Sequence, residues 1–170
     1  MTQDVPFRLR VLQNLTSVLE GVKQQNGFRH DLEGSVFRGR AVYGESDPLP
    51  LVSILDAPEQ PAGLDHQGSG KQLVDWTLVV QGFADDDPLN PTDPAYYLEA
   101  DVKMALAREK AARGGTGEGD NDLLGMGGRV DDIRIGQGVR RPPEANVSSK
   151  AFFWLLLHLT ILEDLIDPYS

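Results

Sequence analysis

DWTLVVQGFADDDPLNPTDPAYYLEADVKMA, from Asp75 to Ala105, orders the chain as strand, turn and helix. In an extended backbone Trp76, Leu78, Val80 and Gly82 share one face, and Asp75, Thr77, Val79, Gln81 and Phe83 share the other. Asp85, Asp86, Asp87 and Pro88 stop the strand, and Asn90-Pro91 prolongs the turn. Thr92 or Asp93 is placed to cap a helix whose first turn holds Pro94, where a missing N–H costs nothing. Leu98, Val102 and Ala105 then recur at helical spacing. The stretch builds a scaffold and a solvated acidic turn, with no nucleophile beside a base.

Working outward, Val11, Leu15, Val18 and Val22 make a helical stripe from about Phe7 to Gln25, with Asn26-Gly27 as its stop. Val36 to Val42 reads as a short strand or extended arm, followed by a turn from Gly44 to Pro48. Leu51 to Leu55 has strand length and Leu73 to Ala84 is the strand already described. Between them, Pro58 to Lys71 is rich in Pro, Gly, Asp and Gln and reads as a long hairpin loop. Gly114 to Gly128 holds seven glycines in fifteen residues and reads as a flexible excursion. Both segments are expected to be mobile, since neither offers enough apolar surface to offset ordering.

Arg129 to Arg141 reads as a strand ended by Pro142-Pro143. Ser149 to Glu163 is the most apolar segment. Its leucines also suit a helix, but the aromatic start favours a central strand, with Phe153, Leu155, Leu157, Leu159 and Ile161 on one face. The order is helix, two or three strands, helix, two strands. It predicts a single α+β domain over residues 1–170, a mainly antiparallel sheet with two helices packed on one face and extended loops or an arm outside it. The expected core is Leu15, Leu19, Leu55, Trp76, Leu78, Val80, Leu98, Val102, Ile133, Leu155, Leu157 and Leu159.

The chain has 170 residues, 26 acidic against 16 basic, and a net charge of -10. Such a balance is poorly suited to gripping a phosphate backbone, which is mostly cationic contact. There is no cysteine, so disulfides, thiolate metal sites and cysteine nucleophiles are excluded. The N-terminal residues carry an early acid and no apolar core, so no secretory signal is expected. The apolar run from Ala151 is interrupted by His158 and Thr160 and is too short for a membrane helix.

Asp85, Asp86, Asp87, Asn90 and Asp93 are oxygen donors suited to a hard cation, yet their spacing matches no calcium loop and a turn with a helix cap explains them. Asp120, Asn121 and Asp122 lack the alternating acids and closing Glu of such a loop. His30 beside Asp31 is a candidate acid–base pair without a nucleophile. His66 falls in a loop and His158 in the apolar strand. No catalytic, cofactor or metal site is predicted.

Four stretches carry a family resemblance: RLRVLQNLTSVLEGV from Arg8, VFRGRAVYGESDPLPLVSILDAPE from Val36, the segment from Asp75 to Ala105, and SSKAFFWLLLHLTILEDLIDPY from Ser148. In pattern and order they resemble the tail terminator or tail completion proteins of long-tailed bacteriophages. The resemblance covers most of the chain and rests on no catalytic signature. It implies an α+β subunit, a hexameric ring of self-copies on the last ring of the tail tube, an end to tube polymerisation, and a surface that joins the filled head. The implied partners are the tube protein and a head-completion or connector protein. The resemblance further implies that DNA passes through the lumen without specific binding, that no cofactor or membrane is involved, and that the location is the virion, assembled in the host cytoplasm. The alternative is a head–tail connector ring of the neck. A second alternative is a small cytosolic enzyme or ligand-binding module. The glycine-rich excursion departs from the pattern.

On residue chemistry, the expected subunit contact is the arm Val36 to Tyr43. Val36, Phe37, Val42 and Tyr43 offer apolar and aromatic anchors. Arg38 and Arg40 offer charge to a neighbour's carboxylates, notably Asp85, Asp86 and Asp87.

Overall fold

In a computed structural model, which describes residues 4–62, 70–115 and 119–170, the chain is an α+β protein. Two helices, α1 (Phe7–Glu20) and α2 (Asp93–Arg113), pack against a five-stranded mixed sheet. Its strands are β1 (Val36–Arg38), β2 (Leu51–Asp56), β3 (Lys71–Ala84), β4 (Val130–Arg141) and β5 (Ala151–Asp164), in the spatial order β1-β2-β3-β5-β4. Only the β1–β2 pair is parallel.

The frame is the β3–β5 pair, aligned without a break from Lys71 opposite Asp164 to Ala84 opposite Ala151. Alternation decides the faces. Trp76, Leu78 and Val80 of β3, with Phe153, Leu155, Leu157, Leu159 and Ile161 of β5, are buried under the helices. They join Val11, Leu15 and Leu19 of α1 and Leu98, Val102 and Leu106 of α2 in one cluster that also takes in β1, β2 and β4. β5 is a strand and lies inside the sheet, as its aromatic start and unbroken apolar face imply. Gly82 stands directly opposite Phe153, and a Cβ there would lie 2.1 Å from its ring. The missing side chain is what makes room for that ring beside β3.

Eleven of the twelve expected core residues are buried; Leu55 is half-buried, because it belongs to the face without helices. α1 ends at Glu20, earlier than expected. Gly21 closes it, and the chain crosses a single 3-10 turn (Gln24–Asn26) before Gly27 at φ 83°. Val22 remains fully buried beyond the helix, which is why the stripe looked longer. α2 begins at Asp93, yet neither Thr92 nor Asp93 caps it through a side chain. Asp87 does the local work instead, accepting the amides of Leu89 and Asn90 at 2.9 and 3.0 Å.

The glycine-rich excursion is in contact with the core. Leu123 and Leu124 are buried in a 3-10 turn, and Leu124 holds a left-handed φ of 55°. Glu109 accepts the Leu124 amide at 2.8 Å, and Asn14 donates to its carbonyl at 2.7 Å. Glycine content alone reads as flexible, yet two adjacent leucines are enough to dock this part of the stretch. The expected mobility of 58–71 and 114–128 concerns stretches of which residues 63–69 and 116–118 lie outside the described residues. Among the described residues no helix is long and apolar enough to cross a membrane.

Candidate assembly surfaces

Among the described residues, the second face of the sheet carries no covering layer. A row of aromatic rings runs over one end of it: Tyr43 on Phe83 at 4.8 Å, Phe83 on Phe152 at 6.1 Å, and Phe152 on Trp154 at 6.0 Å. Leu73, Leu156 and Leu162 are partly exposed on the same face. His158 sits among them, half-buried, its Nδ1 3.1 Å from the Thr77 hydroxyl across the β3–β5 pair. Beside the aromatic row, Tyr43, Leu49, Leu51, Phe83, Val147 and Lys150 line a cleft of about 300 Å3.

The arm ends in a cage built around Arg40. Its guanidinium lies 4.6 Å from the Phe37 ring and 5.0 Å from the Tyr43 ring, and it donates to Asp47 at 2.5 Å and to the Val42 carbonyl at 3.3 Å. Tyr43 Oη donates back to the Arg40 carbonyl at 2.7 Å, and so does the Ser53 hydroxyl. The Gly44 amide, then Arg40, holds the Asp47 carboxyl below the usual carboxylate range. Burial pushes the Tyr43 phenol up. Arg38 donates to the Thr16 hydroxyl of α1 at 3.0 Å, and Val36 is buried against the core. The expectation that these two arginines reach out to a neighbour therefore meets two side chains already engaged within the chain. A cation flanked by aromatic rings satisfies itself locally when a turn such as Gly44–Asp47 returns a carboxylate to it.

The acidic turn is likewise divided. Asp87 serves the turn, Asp86 pairs with Lys150 at 3.3 Å, and Asp85 makes no ion pair among the described residues. Since Lys150 also lines the cleft beside Tyr43, the turn and the arm lie at the same end of the sheet. His30 does not pair with its neighbour Asp31. Asp101 of α2 accepts from His30 Nδ1 at 2.8 Å and from the amides of Arg29 and His30 at 3.0 and 2.9 Å. That carboxylate ties the link after α1 to α2. His66 lies outside the described residues. Among the described residues no three His, Asp or Glu side chains converge in a way that could hold a metal ion.

Elsewhere charge is paired across elements. Arg8 grips Glu163 through two bonds of 2.9 and 2.8 Å and lies over Trp76. Arg140 and Lys103 both meet the buried Glu99, and Glu99 in turn raises the Arg140 pKa. Gly138 makes room for that carboxylate, since a Cβ there would fall 2.0 Å from Glu99 Oε1. Sequence reasoning missed Asp47, Thr16, Lys150 and Glu99 as partners, because each pairing spans a turn or two elements. The glycine pair in Gly136-Gln137-Gly138, inside an otherwise regular strand, was the one local signal of something close-packed there.

No protein-family model matches the chain, and no curated protein sequence matches it either.

Proposed function

We propose that this chain is a structural virion protein: a ring that caps the tail tube of a long-tailed bacteriophage, ends tube polymerisation and forms the surface that joins the head. Copies of the chain, the tube protein and a head-completion protein are its partners, and DNA crosses its lumen without specific binding. The observation that carries the reading is the distribution of charge. All sixteen lysines and arginines are engaged within the chain, fifteen of them by carboxylates, carbonyls, a hydroxyl or aromatic rings. Asp85, Asp93 and Glu45, by contrast, make no ion pair among the described residues, and the net charge is -10. A ring of such subunits presents surplus negative charge, past which a phosphate backbone slides instead of adhering. The open sheet face, the cleft and the two sheet edges supply contact area.

The test uses tube protein from a phage that encodes this chain. Polymerised alone, the tubes should grow to unregulated lengths; with the chain added, negative-stain images should show shorter tubes, each with one capped end. Binding to emptied heads and none to tube ends would instead favour a connector ring of the neck. Binding to neither would overturn both.

A further inference from the structure

We infer that the outer edge of β4, from Gly138 to Arg140, is the seam that receives β1 of a second copy, so that the sheet continues from subunit to subunit. The inference rests on the ring reading above and names the surfaces that would make it.

β4 is a twelve-residue strand at one edge of the sheet, and β1 is a three-residue strand at the other. Edges carry unpaired N–H and C=O groups and invite another strand. The first half of β4 is already closed. Asn121 donates to the carbonyls of Val130 and Asp131, and Lys110 donates to that of Ile133 at 2.9 Å. From Arg134 to Arg141 no such cap occurs among the described residues. The bulge between Ile135 and Gly138 splits that remainder and leaves a final stretch about as long as β1.

The ladder gives the register. Ser35 accepts from Val52, and Gly39 donates to Ile54, so the odd positions of the arm face β2 and the backbone groups of Val36 and Arg38 point outward. On the far side, the Leu162 amide donates to Arg129, which puts the even positions of β5 toward β4. Val139, opposite Trp154, therefore faces inward, while Gly138 and Arg140 point outward. β1 and β4 run in opposite directions across the sheet, so a second copy set beside the first in the same orientation brings its β1 antiparallel to β4.

One row crosses the whole sheet: Phe37, Ser53, Gln81, Trp154 and Val139 stand opposite one another in turn. Both ends of the row are apolar and solvent-accessible. Continued into the next copy, the row sets Phe37 against Val139, an aromatic–β-branched pair of the kind that stabilises antiparallel strands. The same step sets Val36 opposite Arg140 and Arg38 opposite Gly138, so all the outward backbone groups meet as hydrogen-bonded pairs. Gly138 has no side chain to obstruct the incoming Arg38. Because the two edges differ, the contact is heterologous, and it closes into a ring where the rotation permits.

The chain has no cysteine, which makes a thiol test clean. Phe37→Cys and Val139→Cys are introduced together. Within one chain the two edges lie four strand spacings apart, roughly 19 Å, so a disulfide forms only between copies. Leu89→Cys with Phe37→Cys is the control, Leu89 being 89% exposed and off the edge. At high protein concentration under mild oxidation, the edge pair should link copies at least about tenfold faster than the control. Equal rates would overturn the seam. As a check independent of substitution, the amides of Arg38, Gly138 and Arg140 in the unaltered chain should slow in hydrogen exchange as concentration rises; exchange that never changes would count against it too. Capped tubes with equal linking rates would reject the seam and leave the cap standing. Fast linking with uncapped tubes would reject the cap and leave the seam.

Discussion

At the scale of single residues, two groups decide whether local geometry is as tight as the fold implies. Gly82 lies under the Phe153 ring, where a Cβ would come within 2.1 Å of an atom that is fully buried. Gly82→Ala must displace that ring or bend β3, so it should destabilise the protein by about 1–3 kcal/mol, as overpacking does. Urea denaturation would read this, and an unchanged midpoint would mean that the ring has room to move. The second group is Glu163. Two bonds from Arg8 hold its carboxyl below the usual range, and the amides of Asp167 and Ile166 do the same for Asp164. Folded carboxyls that titrate lower than unfolded ones leave the unfolded chain binding more protons in acid. Their stabilisation is complete above about pH 4–4.5, the unfolded range, and is lost as pH falls through the folded values. The denaturation midpoint should therefore drop below that range, and Glu163→Gln should make the drop shallower. An identical acid limb in the variant would remove the Arg8–Glu163 pair from the account.

At the scale of elements, β5 is the strand on which the others depend. It pairs with β3 on one side and β4 on the other, and Leu157 lies fully buried at its middle. Leu157→Ala should cost roughly 2–5 kcal/mol in chemical denaturation; no loss would take β5 out of the core. What was legible in the sequence was periodic. The two-residue alternation of β3, the three-four spacing of α2 and the unbroken apolar face of β5 each placed an element and a face correctly. What was not legible depended on chain regions meeting at a distance. Arg40 reads as a free cation in Val36 to Tyr43, and only the return of the Gly44–Asp47 turn shows it enclosed. Asp101 reads as one more helix acid until the link after α1 folds onto it. The glycines of Gly114 to Gly128 obscured Leu123 and Leu124, whose burial needs α1 and α2 already in place. At the proposed seam the arm was visible as a candidate contact, but its receiving edge was not. The parity that turns Gly138 and Arg140 outward follows from the bulge in β4, and a bulge leaves only its glycines in the sequence.

At the scale of the whole molecule, a two-layer subunit engages its cations within the chain and, among the described residues, leaves carboxylates, an open sheet face and two unlike sheet edges outward. In the proposed reading these are the surfaces of a part to be assembled, a cap through which DNA passes. The most direct measurement is cryo-electron microscopy of tubes polymerised in the presence of the chain. The account predicts one ring of this chain, with sixfold symmetry, at one end of each tube and none along its length. A chain that decorates the tube wall, or leaves both ends bare while remaining folded and monomeric in solution, would contradict it.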